Sequence, residues 1–210
     1  MYSTDQFEID QEAMRLQGAI KTFFDNFSVG TLLNSCNIRK LKGVSPLAVF
    51  EAIFLLAFRG QNFYQGIVLN SELGFRKDVA YGLLENPRYN WRQVVMRLAA
   101  KIVRVVEMLT NEEREKVFVI DDSDYDRSRS KTVELLAKIF DHNSHKYLKG
   151  FKLLTLGWGD GATFLPLDFV LRSSANVANR IQGIIKVLDK RTCGYRRRQE
   201  AMVKTTDLLE

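Results

Sequence analysis

The hydrophobic period of this chain changes about halfway along it. From about residue 12 to residue 109, apolar side chains recur at three- and four-residue spacing, the period of helices that bury one face. From Lys116 the pattern becomes Lys116-Val117-Phe118-Val119-Ile120, a continuous β-branched and aromatic run, which is how a strand buried on both faces reads. Helices first and strands afterwards predict an α/β (α+β) chain in two parts, an all-helical part over 1–112 and a sheet-containing part over 113–210. A length of 210 residues leaves ample chain for an apolar core. With 46% hydrophobic and 27% charged residues and only 3 prolines, a largely disordered chain is excluded.

In the first part the pattern predicts about five helices. The first covers roughly 11–27. The second, 46–59, opens at Ser45-Pro46, a capping serine followed by proline at the first helical position, and is apolar on most faces. Two short amphipathic pieces follow at about 62–70 and 77–85, interrupted by Gly74 and closed by Asn86-Pro87. Asn90 then caps a long helix over 91–109, with Val94, Val95, Leu98, Ile102 and Val105 on one stripe and Arg92, Arg97, Lys101 and Arg104 elsewhere. A short helix, a turn and a longer basic helix give a helix-turn-helix-like order, which makes Arg92 a candidate DNA contact; the plainer reading is a solvated basic face.

In the second part, the run at 116–120 ends on Asp121 and Asp122. Two further strand-like runs, 151–158 and 164–171, are separated by Gly159-Asp160-Gly161, whose glycines permit the positive φ of a hairpin turn. Three strands are therefore expected, then a helix over 178–188 and a last helix from about Tyr195 that nothing stops before residue 210. The longest apolar run, 47–58, is interrupted by Glu51 and falls short of the roughly 20 residues of a membrane span. Cys36 and Cys193 form no CxxC pair, so neither a disulfide framework nor a cysteine zinc site is expected, which suits a reducing cytoplasm. The formal net charge of +6, with a pI near 9.3, favours a nucleic-acid partner.

The chemistry-bearing stretch is Asp121-Asp122-Ser123-Asp124-Tyr125-Asp126. An EF-hand loop starting at Asp122 would need glycine at Arg127 and glutamate at Val133, so that reading fails twice. A phosphatase of the haloacid dehalogenase type would use Asp122 as nucleophile and Asp124 as acid/base, but Asp126 stands where such motifs usually carry threonine or valine. The third option is two-metal phosphoryl chemistry, with a carboxylate at the end of a central strand. Against all three stands a set of aspartates that merely caps a turn. Arg127, Arg129 and Lys131 among serines, directly after the carboxylates, suit a polyanionic substrate. A second basic cluster, Lys186, Lys190, Arg191, Arg196, Arg197, Arg198 and Lys204, could track a DNA backbone, part of it serving as solvated surface. His142 and His145 have HxxH spacing without a third ligand nearby, which argues against zinc.

The run from Ile120 to Ser130, then Phe140-Asp141-His142, His145-Lys146-Tyr147 and Lys149-Gly150-Phe151, then Leu153 to Trp158 and Phe164 to Phe169, resembles the DDE transposases of bacterial insertion sequences, more narrowly the insertion-sequence-four type. The resemblance implies a helical domain that binds double-stranded DNA at terminal inverted repeats, followed by a ribonuclease-H-like catalytic domain with a two-metal Mg²⁺ site and a triad of Asp, Asp and Glu. The first Asp, a metal ligand, maps to Asp121, with Asp122 as the close alternative, because both alternating sets of the preceding strand are apolar. The second Asp and the Glu find no counterpart in this sequence, and Asp160, Asp168 and Asp207 stand at none of the required strand ends. The expectation is a C-terminally truncated transposase that does not cut DNA by itself, with an exposed sheet edge that invites association with itself or with an intact transposase. The alternative function is a non-catalytic protein that occupies terminal repeats.

Overall fold

The computed structural model describes residues 4–40, 42–110 and 113–209. Two compact units divide at Asn86 and Pro87. The change of character expected near residue 112 falls at residues 111–112, outside those described; the long helix that precedes it goes with the sheet.

The first unit holds α1 (Thr4–Asn26), α2 (Val29–Ser35), α3 (Pro46–Phe58) and α4 (Lys77–Leu84), with a π-helical turn at Tyr64–Val68 where a short amphipathic helix was expected. The Ser45 side chain accepts from the Leu47 amide at 3.2 Å, as the Ser-Pro signal predicts, and satisfies one of the donors that a helix start leaves free. Helix α2, where no helix was expected, begins after Ser28, whose left-handed φ of 51° turns the chain sharply within two residues. Phe23, Phe24, Phe50 and Phe54 pack ring to ring, and Val29, Leu33, Ile38 and Val49 are buried beside this cluster's helices. Burial on that scale contributes about 1.5–3 kcal/mol per large apolar side chain.

The second unit begins with α5 (Trp91–Leu109), capped as expected by the Asn90 side chain, which accepts from the Gln93 amide at 3.1 Å. The sheet follows: β1 (Val117–Asp126), β2 (Ala137–Asp141), β3 (Lys146–Gly159) and β4 (Phe164–Arg172), all pairing antiparallel. β3 is central. Gly150 pairs with both Asp126 and Ala137, and Lys152 with both Asp124 and Arg172, so β1 occupies one edge of β3 while β2 and β4 share the other. The hairpin between β3 and β4 turns where the glycine pair predicts, with Gly161 at φ 86°.

Several expectations are corrected. Four strands are present among the described residues rather than three, because the segment before β3 folds back on it as β2. The first strand does not end at Asp121 or Asp122: its ladder with the 14-residue β3 runs on to Asp126. Gly150 permits this, since a Cβ there would lie 2.2 Å from the Tyr125 carbonyl oxygen. Nor is that strand buried on both faces; Phe118 is 73% exposed and Ile120 54%. The helix expected over 178–188 is a single 3₁₀ turn at Val177–Asn179, because Arg180 bridges to Ala137 at the start of β2 and the Ile181 and Gln182 amides both donate to the Leu136 carbonyl. The last helix is split into α6 (Cys193–Glu200) and α7 (Thr205–Leu209). Its break is tertiary: the Ser173 amide takes the Ala201 carbonyl at 2.8 Å, and Met202 and Val203 donate three residues back, tightening the turn to a close.

Candidate active-site strand and basic turn

The acidic run lies along β1, an edge strand among the described residues. Successive side chains alternate between the sheet faces, and cross-strand partners share a face. Asp121 therefore groups with Thr155 and Phe169, and Asp122 with Leu154 and Val170. The two carboxylates that sequence left as alternatives for one role project to opposite sides of the sheet.

Each aspartate has a different neighbour. Asp121 accepts the Ser123 hydroxyl proton. Asp124 forms an ion pair with Lys152, its register partner on β3. Asp126 accepts from both the Ser128 amide at 2.7 Å and the Ser128 hydroxyl at 2.5 Å, and the hydroxyl is the main reason its carboxyl is held below the usual carboxylate value. These bonds fold the chain into a turn directly after β1. The Arg127 amide donates to the Lys149 carbonyl at 2.8 Å, and the Arg127 guanidinium lies 4.4 Å from the centre of the Tyr125 ring while donating to its hydroxyl. Arg129 and Lys131 follow in the same turn, both exposed. The carboxylates and this short basic segment are thus held together by the local chain.

The other expected DNA contacts separate. Arg196 is exposed. Arg198 is not: it is buried at 9%, donating to the Lys186 carbonyl at 2.6 Å and to Glu134 at 2.8 Å, so it ties α6 to the loop before β2. Arg197 lies over the Phe169 ring at 4.6 Å, and burial pushes its guanidinium below its ordinary value. Arg92 is engaged within the protein as well. Helix α5 packs against β4, and Arg92 grips Asp168 on β4 with two N–H groups while reaching Glu200 on α6 at 2.6 Å. The hydrogen bond it donates to Asp168 is the main reason the Arg92 guanidinium sits above its ordinary value. A lone carboxylate inside the apolar run 164–171 was the available signal for this network, because a half-buried charge in a strand requires a partner.

Arg92 and Asp168 also wall a pocket of about 260 Å³ whose floor is Ile120, Leu154, Leu156 and Val170, with Leu208 of α7 at its side. It opens on the sheet face that Asp122 shares. His142 and His145 sit in the exposed turn between β2 and β3, their rings near Phe140.

Residues 54–207 match the family described as DDE superfamily endonucleases. The chain belongs to that family. No curated protein and no solved structure matches it. The family assignment makes DNA the substrate class, and DDE superfamily nucleases generally act with divalent metal ions. The residues of this DDE chain do not by themselves fit such a site: among the described residues no three His, Cys, Asp or Glu side chains gather closely enough to hold a metal ion. Asp121 and Asp122 diverge across the sheet, and Asp124 is engaged by Lys152. No helix among the described residues is long and apolar enough to cross a membrane.

Proposed function

We propose that this DDE chain is a transposase of the insertion-sequence-four type that binds the terminal inverted repeats of a mobile element. Asp121 is the carboxylate it contributes to phosphodiester chemistry, with Asp122 the close alternative. The observation that carries the reading is the continuity of β1 with the turn after it: carboxylates on a strand and three cations, Arg127, Arg129 and Lys131, within five residues of its end. Asp126 fixes that turn through Ser128, so the cations are presented by an ordered backbone. Arg196 adds an exposed cation on α6. Cations placed this way take phosphate oxygens, position the duplex and leave the carboxylates beside the scissile strand.

Mg²⁺ is the metal this reading assigns to the family's chemistry. The described residues gather too few carboxylates to hold it as a pair, so this chain on its own binds DNA ends without cutting or joining them. It then acts as an occupant of terminal repeats, able to compete with an intact transposase.

A gel-shift titration with inverted-repeat DNA over a range of salt tests the binding. Affinity should fall steeply with salt, and replacing Arg127, Arg129 and Lys131 together by alanine should lower the slope of log K against log salt by about 3, one for each lost phosphate contact. Binding that ignores salt sinks the reading. Nicking of the same DNA by the purified chain with Mg²⁺ or Mn²⁺, abolished in Asp121→Ala, would overturn the claim of inactivity and confirm the residue.

A further inference from the structure

Lys149 of β3 stands between two cations. On one side its register partner is Lys138 of β2; on the other, Arg127 continues the β1 register by one residue, its amide donating to the Lys149 carbonyl at 2.8 Å. Cross-strand partners share a face, so Arg127, Lys149 and Lys138 form a row of positive charge across three adjacent strands. All three are exposed, and among the described residues no carboxylate forms an ion pair with any of them. Arg127 donates to the Tyr125 hydroxyl and keeps further N–H groups. Two other cations of β3 are balanced: Lys152 is paired with Asp124, and Lys146 faces Asp141. Like charges directly opposite one another destabilise a sheet, and an anion lying over the row removes that cost.

The next row along the β2–β3 hairpin is aromatic. Phe140 and Tyr147 are register partners on the same face as the cations, their ring centres 5.2 Å apart in an edge-on contact. The His142 ring meets Phe140 edge-on at 5.1 Å, so Phe140 is braced from both sides, while Tyr147 leaves 71% of its surface to solvent. Two residues of strand, about 7 Å, separate the aromatic row from Lys138 and Lys149. That is the reach from the phosphate of a nucleotide to its base. A phosphate held by the cations therefore brings its base to the Tyr147 ring. In a duplex both faces of a base are covered by its neighbours, so a stacking ring takes an unpaired one.

We infer that the β2–β3 hairpin is a binding surface for single-stranded DNA, in which Arg127, Lys149 and Lys138 hold phosphates and Tyr147, braced by Phe140, stacks on an unpaired base. The inference rests on the reading of this chain as a binder of DNA ends, and it names the strand form that this face takes.

Fluorescence anisotropy of the full chain with a labelled oligothymidine strand, set beside the inverted-repeat duplex, tests it. Single-strand binding that weakens with salt is expected. Tyr147→Ala should weaken it about tenfold or more, the loss of one base–ring stack, with duplex affinity changed less than about twofold, and Tyr147→Trp should retain it. Lys149→Ala should lower the slope of log K against log salt for the single strand by about 0.7, one phosphate contact. Lys138→Glu turns the opposed cations into an ion pair, so the fold should be at least as stable in urea while single-strand affinity falls about threefold or more. Circular dichroism of each variant checks that it is folded. A chain that binds the duplex but not the single strand overturns this inference and leaves the transposase reading standing. Duplex binding that ignores salt sinks that reading, whereas single-strand binding that depends on Tyr147 upholds this one. Equal losses on both DNA forms in Tyr147→Ala, or undiminished single-strand binding in Lys138→Glu, also overturn the inference.

Discussion

β1 and β4 lie on opposite edges of β3 and each carries an apolar run, yet among the described residues one is covered and the other bare. Over β4 lies α5, fixed by Arg92 to Asp168 and to Glu200 of α6, with Arg197 stacked on Phe169. The apolar half of β1 meets β3 and little else, and Phe118 points 73% of its surface at solvent. The two strands differ less in apolar content than in what the chain sends across them. A covered edge strand and a bare one can each carry an apolar run; a charged residue inside the run, as Asp168 is in β4, is the better sign that a partner crosses it.

The contrast can be broken first at the centre of the sheet. Phe151 on β3 is 5% exposed and packs with Leu135, Leu136 and Ala201, so Phe151→Ala should cost about 3–5 kcal/mol in urea unfolding, removing apolar contacts and leaving a cavity. Next comes the clamp over β4. Arg92→Ala strands Asp168 and Glu200, each partly exposed, and should lower stability by about 1–3 kcal/mol, below the range for fully buried pairs because solvent reaches both partners. Asn90→Ala removes only the cap of the helix that lies on β4 and should cost about 1 kcal/mol.

A smaller effect is expected at the hairpin between β3 and β4. Asp160 accepts from the Thr163 amide at 2.6 Å and from Arg114 at 3.0 Å, and its carboxyl is held below the usual value first by the Thr163 bond. A lowered folded-state value means that its stabilisation is complete above the unfolded carboxylate value, about 3.9, and disappears as pH falls through the folded one. Asp160→Asn should therefore flatten the loss of stability on acidification below about pH 4, and an unchanged acid limb would refute the assignment. At the low end, Phe118→Ala on β1 should change the unfolding free energy by less than about 0.5 kcal/mol, since the ring is already in water. A loss near that of Phe151→Ala would show that β1 is covered after all and would end the comparison.

Much of this was legible in the residues. Ser45-Pro46 and Asn90 start α3 and α5 as their capping chemistry dictates, and Gly161 makes the turn between β3 and β4. The acidic run and the basic turn after it were readable as one cluster because a single short segment carries both. Two of its details were not. The strand's true end at Asp126 depends on the length of β3 and on Gly150 allowing the close approach of Tyr125. Which face each aspartate takes depends on the register with β3, since both alternating sets before Asp121 are apolar.

Local conformation follows from the residues alone: where helices begin, where the period changes from helix to strand, and which stretch concentrates carboxylates beside cations. These follow from caps, turn residues and side-chain spacing, which act over a few residues. Tertiary structure alone decided which strand is covered, that Arg92 and Arg198 are engaged by carboxylates of other elements while Arg127, Arg129 and Lys131 stay exposed, and that the segment after Asn179 bonds to the chain at the start of β2 instead of forming a helix. Each of those outcomes depends on a partner distant in the chain, such as Asp168 for Arg92 or Leu136 for Ile181, and no periodicity within a short window carries that information.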